Sequence, residues 1–179
     1  MTTQGTGTER SGIMTGVFSD KASTEGAYKS LRDRGYTDDE INVIMSDDTR
    51  SKYYANDPDS ELGSKATEGA GVGGAIGGTL GAIIGGIAAI GTNLVLPGLG
   101  LVVWGPIAAA LAGAGAGGLT GGLVGALVGW GIPEDRAKVY EESVKNGGTV
   151  LGVTPRSDED AEYFANDWKT NHRGQEIYR

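Results

Sequence analysis

From Gly69 to Pro133 the chain carries no Asp, Glu, Lys, Arg or His. These sixty-five residues also hold twenty-two of the thirty-three glycines. A block of this kind is too apolar to lie bare in water and too poor in side chains to build an ordinary core. Gly69, Gly73, Gly77, Gly81 and Gly85 recur at a spacing of four, and so do Gly113, Gly117, Gly121, Gly125 and Gly129. Residues four apart share a helix face. The spacing therefore predicts a helix over about 68–91 and another over about 106–130, joined through the apolar bend from Leu94 to Trp104. Val72, Ile76, Leu80, Ile83, Ile87 and Ile90 form the bulky side of the first helix. Leu119, Leu123, Leu127 and Trp130 form that of the second. Each glycine costs a helix about 1 kcal/mol relative to alanine, so neither helix would persist alone in water. Close approach of two backbones along the small-residue rows offsets that cost. The expected unit is a glycine-zipper helical hairpin over 66–131, with the ten glycines as its helix-packing and self-association residues.

The charged residues lie outside this block and read as an α/β module. Residues 1–11 form a polar tail, expected to be disordered. Residues 12–48 make the first half of the module: a strand over 12–18, a helix capped by Ser19 or Asp20, and a strand over 41–45. Ala27, Tyr28 and Leu31 share one face of that helix, which Gly35 ends. Residues 49–65 read as a polar linker. Residues 132–179 supply a helix opening at Pro133, with Ala137, Tyr140 and Val144 as its apolar stripe, and then the second half. That half is a strand over 149–153, a helix capped by Ser157 or Asp158, and a short strand over 175–178. Ala161, Phe164, Ala165 and Trp168 lie at i, i+3, i+4 and i+7 in the helix. Two β-α-β halves predict an α+β fold, a ferredoxin-like sandwich interrupted by the long helical hairpin.

Few residues carry chemistry. Gly69-Ala-Gly71-Val-Gly-Gly74 and Gly113-Ala-Gly115-Ala-Gly-Gly118 match a dinucleotide-binding fingerprint in letters only. That fingerprint needs a preceding strand and an acidic residue about twenty positions on, and an uncharged block has none. Asp57-Pro-Asp59-Ser-Glu61 departs from calcium-loop spacing and reads as solvated linker. There is no cysteine, and the one histidine, His172, is expected to be exposed. No catalytic, cofactor-binding or metal-ligating residue is assigned. A net charge of −8 argues against a nucleic-acid partner. Tyr28, Tyr140, Phe164 and Trp168 stand at core spacing. Trp104 and Trp130, near the ends of the second hairpin helix, fit either an interfacial belt or ordinary packing.

In order along the chain, the opening strand-helix-strand, the glycine rows, Leu96-Pro-Gly-Leu-Gly100, Gly105-Pro-Ile-Ala-Ala-Ala-Leu111 and Gly131-Ile-Pro-Glu-Asp135 carry a resemblance, together with Tyr140-Glu-Glu and Gly147-Gly148. Over about residues 12–155 the chain resembles bacterial general stress proteins, the heat-induced stress protein YflT-type domain. The resemblance implies a non-enzymatic stress-associated protein and no catalytic residues. Three roles follow for the chain. The hairpin anchors a cytoplasmic domain in or on a bilayer, since a helix of about 36 Å reaches across a hydrocarbon core of about 30 Å. Alternatively it drives homo-oligomerisation of a soluble cytoplasmic assembly, using second small-residue rows at Gly74, Gly78, Ala82 and Gly86, and at Gly118, Gly122 and Ala126. The third role is small-molecule sensing by the ferredoxin-like part. The smooth-face reading predicts that Gly77→Leu or Gly121→Leu weakens self-association by at least about tenfold in sedimentation equilibrium, whereas Ile83→Leu leaves it nearly unchanged. Equal effects from all three substitutions would contradict it.

Overall fold

The computed structural model describes residues 12–54, 62, 93–96, 100–108 and 122–179. In chain order the elements are β1 (Met14–Phe18), α1 (Lys21–Asp33), β2 (Ile41–Ser46), α2 (Asp47–Tyr53), β3 (Asn93–Leu96), β4 (Leu101–Trp104), α3 (Gly122–Gly129), α4 (Glu134–Lys145), β5 (Thr149–Val153), α5 (Asp158–Thr170) and β6 (Gln175–Tyr178). The helices begin where side-chain oxygens can take up free backbone N–H groups. Asp20 accepts from the Ser23 amide at 2.8 Å and Ser157 from the Asp160 amide at 3.1 Å. α4 follows Pro133 and carries Glu134 and Asp135 in its first turn, where the helix dipole favours negative charge. Gly35, at φ +85°, ends α1.

The six strands form one antiparallel sheet in the order β3-β4-β2-β5-β1-β6. β5 is its centre: Val153 stands opposite Met14 on one side and Ile41 on the other, and Leu151 opposite Gly16 and Val43. Thus the strand of the second β-α-β half lies between the two strands of the first, and β1 lies between the two strands of the second.

Both faces of this sheet are covered. Met14, Phe18, Ile41, Val43, Met45, Leu151 and Val153 pack on one side with Tyr28 and Leu31 of α1 and Phe164 and Trp168 of α5. Val17, Ile44, Val103 and Val150 pack on the other with Leu123 and Leu127 of α3 and Ala137, Tyr140 and Val144 of α4. Double burial explains why the central strands read as apolar runs instead of a clean alternation. Two glycines let tryptophans reach the sheet. A Cβ on Gly16 would stand 3.0 Å from the Trp168 ring on one face, and one on Gly152 would stand 2.9 Å from the Trp130 ring on the other. Phe18 meets Trp168 edge-on at 5.4 Å, a contact of about 1 kcal/mol beyond its buried area.

The structure corrects the expected organisation in the middle of the chain. Leu94 to Trp104 is no free bend between helices. Its described residues include two antiparallel strands, with Leu96 opposite Leu101 and Asn93 opposite Trp104, and β4 pairs along β2 from Val43↔Trp104 to Ser46↔Leu101. A run of Leu and Val is as good a strand as a bend when a sheet edge stands ready to take it. The expected linker is partly structured too. α2 is capped by Ser46, which accepts from the Thr49 amide at 3.1 Å, and both Tyr54 and Leu62 are buried in the core. The helix expected over 106–130 is not one continuous helix, because Gly122 has φ +60° where α3 begins. The helix expected over 68–91, both G-x-G-x-x-G matches and the Asp57–Glu61 run lie outside the described residues.

Gly105 fixes how the chain leaves β4. Its φ is +94°, and a Cβ there would lie 2.2 Å from the carbonyl oxygen of Ile41. Backbone cannot yield as a flexible side chain can. Gly105→Ala is expected to lower unfolding free energy by about 3 kcal/mol or more in urea titrations, and a loss under about 0.5 kcal/mol would show that β4 docks on β2 less tightly than described.

Candidate functional site

The ten glycines chosen from spacing are the natural starting point. Gly69, Gly73, Gly77, Gly81, Gly85, Gly113, Gly117 and Gly121 lie outside the described residues, while Gly125 and Gly129 are on α3. α3 turns Leu123, Ala126 and Leu127 to the sheet, leaving Gly125 half-buried and Gly129 exposed. A Cβ on Gly129 would meet nothing within 4 Å. Val128 beside it is also exposed. The described end of the second glycine row therefore lies on the side of α3 away from the sheet.

The ends of the glycine-rich segments are set by the β3–β4 ladder. Asn93 and Trp104 are partners, so the start of β3 and the end of β4 lie side by side. The second is pinned. Asn42 is almost wholly buried on β2. Its Oδ1 accepts the Ile107 amide at 2.7 Å, and its Nδ2 donates to the Gly152 carbonyl at 3.3 Å. Ile107 and Ala108 are fully buried against the α3/α4 face. A buried amide satisfied on both sides is worth having only where it specifies geometry, and here it specifies the exit direction of the chain after β4.

A polar cluster lies where the α1–β2 and β5–α5 connections meet. The Tyr36 hydroxyl donates to Asp160 at 2.6 Å and accepts from the Arg156 amide at 2.8 Å. Arg34 donates to the other Asp160 oxygen at 2.7 Å and stacks over Tyr163 at 4.0 Å. Arg156 donates to Glu40 at 2.8 Å and lies over the Tyr36 ring at 4.3 Å. Hydrogen bonding from Tyr36, with Arg34 beside it, holds the Asp160 carboxyl below the usual carboxylate range. Glu40 is lowered chiefly by Arg156. Burial first, and then the bond to Asp160, push the Tyr36 hydroxyl up to about 12. Each group has its counterpart within the cluster, and the arrangement ties two loops together.

The remaining candidates fall in the core. Trp104 is 3 % exposed within the α1/α5 face. Trp130 packs over Gly152. Of the two readings left open, packing accounts for Trp104, and Trp130 is partly buried. Tyr28, Tyr140, Phe164 and Trp168 are buried as expected. The Tyr140 hydroxyl is 2.7 Å from Thr15 Oγ1 and donates to the Glu176 carbonyl at 3.0 Å. His172 is not the exposed residue expected from its position. It packs over Gly26, where a Cβ would lie 2.4 Å from Nδ1, and its Nε2 stands 3.3 Å from Asp167. Among the described residues no group of three or more His, Asp or Glu is placed to hold a metal ion. Nor is any helix among them long and apolar enough to cross a membrane.

Spacing rules missed Asn42, Gly105 and the Tyr36–Asp160 pair. Asn42 did leave a signal, being the one polar side chain inside Ile41–Met45. The Tyr36–Asp160 pair spans 124 positions and leaves none.

Comparison with known proteins finds no family model, no curated protein and no solved structure that matches this chain.

The cluster makes a pH prediction with a definite sign. Asp160 binds its proton more weakly in the folded chain than in the unfolded one. Its contribution is complete above the ordinary value of 3.8 and is lost as pH falls through the folded value. Tyr36 acts in the opposite sense, with a contribution complete below 10 and lost as pH rises towards about 12. Unfolding free energy measured against pH should decline below about 4, and Asp160→Asn should flatten that decline; an unchanged acid limb would remove Asp160 from its cause.

Proposed function

We propose that this chain is a non-enzymatic bacterial general stress-response protein that self-assembles through its glycine-rich block. The observation that carries the proposal is the pairing of Asn93 with Trp104. It puts the point where the chain enters β3 beside the point where it leaves β4, as an antiparallel packing pair of the flanking segments requires. The exposed Gly129 adds to it, as does the fixed exit held by Asn42 and Gly105. The bacterial stress assignment rests on the motif order given above. The non-enzymatic reading draws support from the polar cluster, whose groups are engaged with one another.

The α/β part is, in this proposal, a ferredoxin-like sandwich acting as scaffold. Its support is the order β2-β5-β1-β6, with each β-α-β unit holding a strand of the other and with α1 and α5 on one face. The layer of α3 and α4 on the opposite face is an addition to that plan. Fold alone would license no activity.

Contact with a bilayer is a second reading, favoured by the uncharged length from Gly69 to Pro133. It is compatible with assembly, since small-residue rows also pack helices within lipid. Cell fractionation with an alkaline carbonate wash, followed by light scattering of the purified protein without detergent, separates the two. Self-assembly predicts release by carbonate and a particle of several times the monomer mass. Retention in the washed pellet would move the glycine-rich block into the membrane, and a carbonate-soluble monomer would defeat both readings.

A further inference from the structure

The connection from α5 to β6 holds a backbone feature that neither the core nor the glycine rows explain. α5 ends at Thr170 and β6 begins at Gln175. Within this short turn Arg173 has φ +51°. The left-handed region is uncommon for a residue with a Cβ and is kept only where the surroundings force it. The turn is tight as well. The Gly174 amide donates to the Trp168 carbonyl at 2.7 Å, and a Cβ on Gly174 would stand 3.0 Å from that same oxygen. His172, packed over Gly26 and facing Asp167, holds the first part of the turn against α1 and α5. Within the turn the strained residue is Arg173.

β6 itself is a separable piece. It is four residues long, lies at the edge of the sheet, and pairs only with β1 among the described residues. Its pairing slips between Thr15↔Tyr178 and Val17↔Gln175, with Glu176 at φ +48° in the irregularity. What holds it are contacts to the body of the molecule: the Tyr140 hydroxyl on the Glu176 carbonyl, the Arg136–Glu176 ion pair at 3.0 Å, and Ile177 against Gly16. None of these involves the turn. A β6 supplied by another copy of the chain could make every one of them on the same β1 edge. The closed monomer and an exchanged dimer then differ chiefly in the turn, which must be strained in the first and can extend in the second. Short strained hinges favour exchange for this reason.

We infer that β6 is an exchangeable strand, and that the partner fitting the β1 edge is the β6 of a second copy of this chain. This interface is independent of the glycine-rich block, and either can exist without the other.

The chain has no cysteine, so single cysteines report the exchange cleanly. Val17 and Gln175 are register partners, at a spacing a disulfide can span. Full-length Val17→Cys and Gln175→Cys chains of different mass, each also carrying Gly77→Leu to suppress contact through the glycine rows, are mixed and oxidised. The expected product is a disulfide-linked dimer containing one chain of each mass, more abundant at higher protein concentration. Arg173→Gly removes the strain from the closed turn, and relief at one hinge is worth about a tenfold change, or about a hundredfold for the two hinges of a dimer. Light scattering of Arg173→Gly in the same background should show dimerisation weakened to that extent. Mixed chains that stay unlinked while the Val17→Cys/Gln175→Cys double variant closes on itself would overturn the inference. A monomer–dimer balance unmoved by Arg173→Gly would overturn it equally.

Discussion

The fold depends on the double pairing of β5. This strand bonds to β1 along one edge and to β2 along the other, and it is buried on both faces. Antiparallel neighbours need only short connections in principle, yet here the strand that joins β1 to β2 arrives from the far side of the glycine-rich block. The two halves of the chain are therefore one cooperative unit. Without Thr149–Val153, β1 and β2 have no common neighbour, and the faces that α1 and α5 cover lose their middle. Closing so long an intervening stretch is tolerable because loop-closure entropy grows only with the logarithm of length, about 0.6 kcal/mol for each doubling.

A sheet placed this way needs cover on both sides, and the cover comes from different parts of the sequence. α1 and α5 close one face and α3 and α4 the other, with aromatic rings on both. Gly16 and Gly152 let one tryptophan approach each face. The β3–β4 pair then lengthens the sheet beyond β2, and Asn42 sets the path of the chain that leaves it. The uncharged block is thereby tied to the sheet through a strand pair and one buried amide.

Much of the α/β part was legible in the residues themselves. Asp20 and Ser157 announce helix starts, Gly35 a helix end, and the stripes Ala27–Tyr28–Leu31 and Ala161–Phe164–Trp168 name the core. Thr149–Val153 and Gln175–Tyr178 are strands with the bounds that their composition gives. The apolar run at Leu94–Trp104 was not legible as strand, because a short Leu/Val run has no period that separates bend, strand and buried helix. Its identity is decided by pairing with β2, from Val43↔Trp104 to Ser46↔Leu101, which leaves no local trace. α2 was hidden for a related reason. It is a polar helix whose one buried residue is Thr49, and the buried Tyr54 follows its end. Of the candidate site, the glycine spacing was plain from the sequence. Its attachment was not, since Gly105 acts through a close approach to the Ile41 backbone and Asn42 through a side-chain bond to the Ile107 amide, both between distant parts of the chain.

The central place of β5 also sets an order of events at the ribosome. The glycine-rich block is synthesised before residues 149–153, the strand that completes the sheet. Chains lengthen at roughly 5–20 residues per second, so every nascent copy passes through an interval, on the order of seconds, in which the uncharged segments have emerged and their scaffold is still incomplete. On a polysome, neighbouring copies at that stage are held close together. The architecture thus makes translation itself a moment at which like chains can first meet.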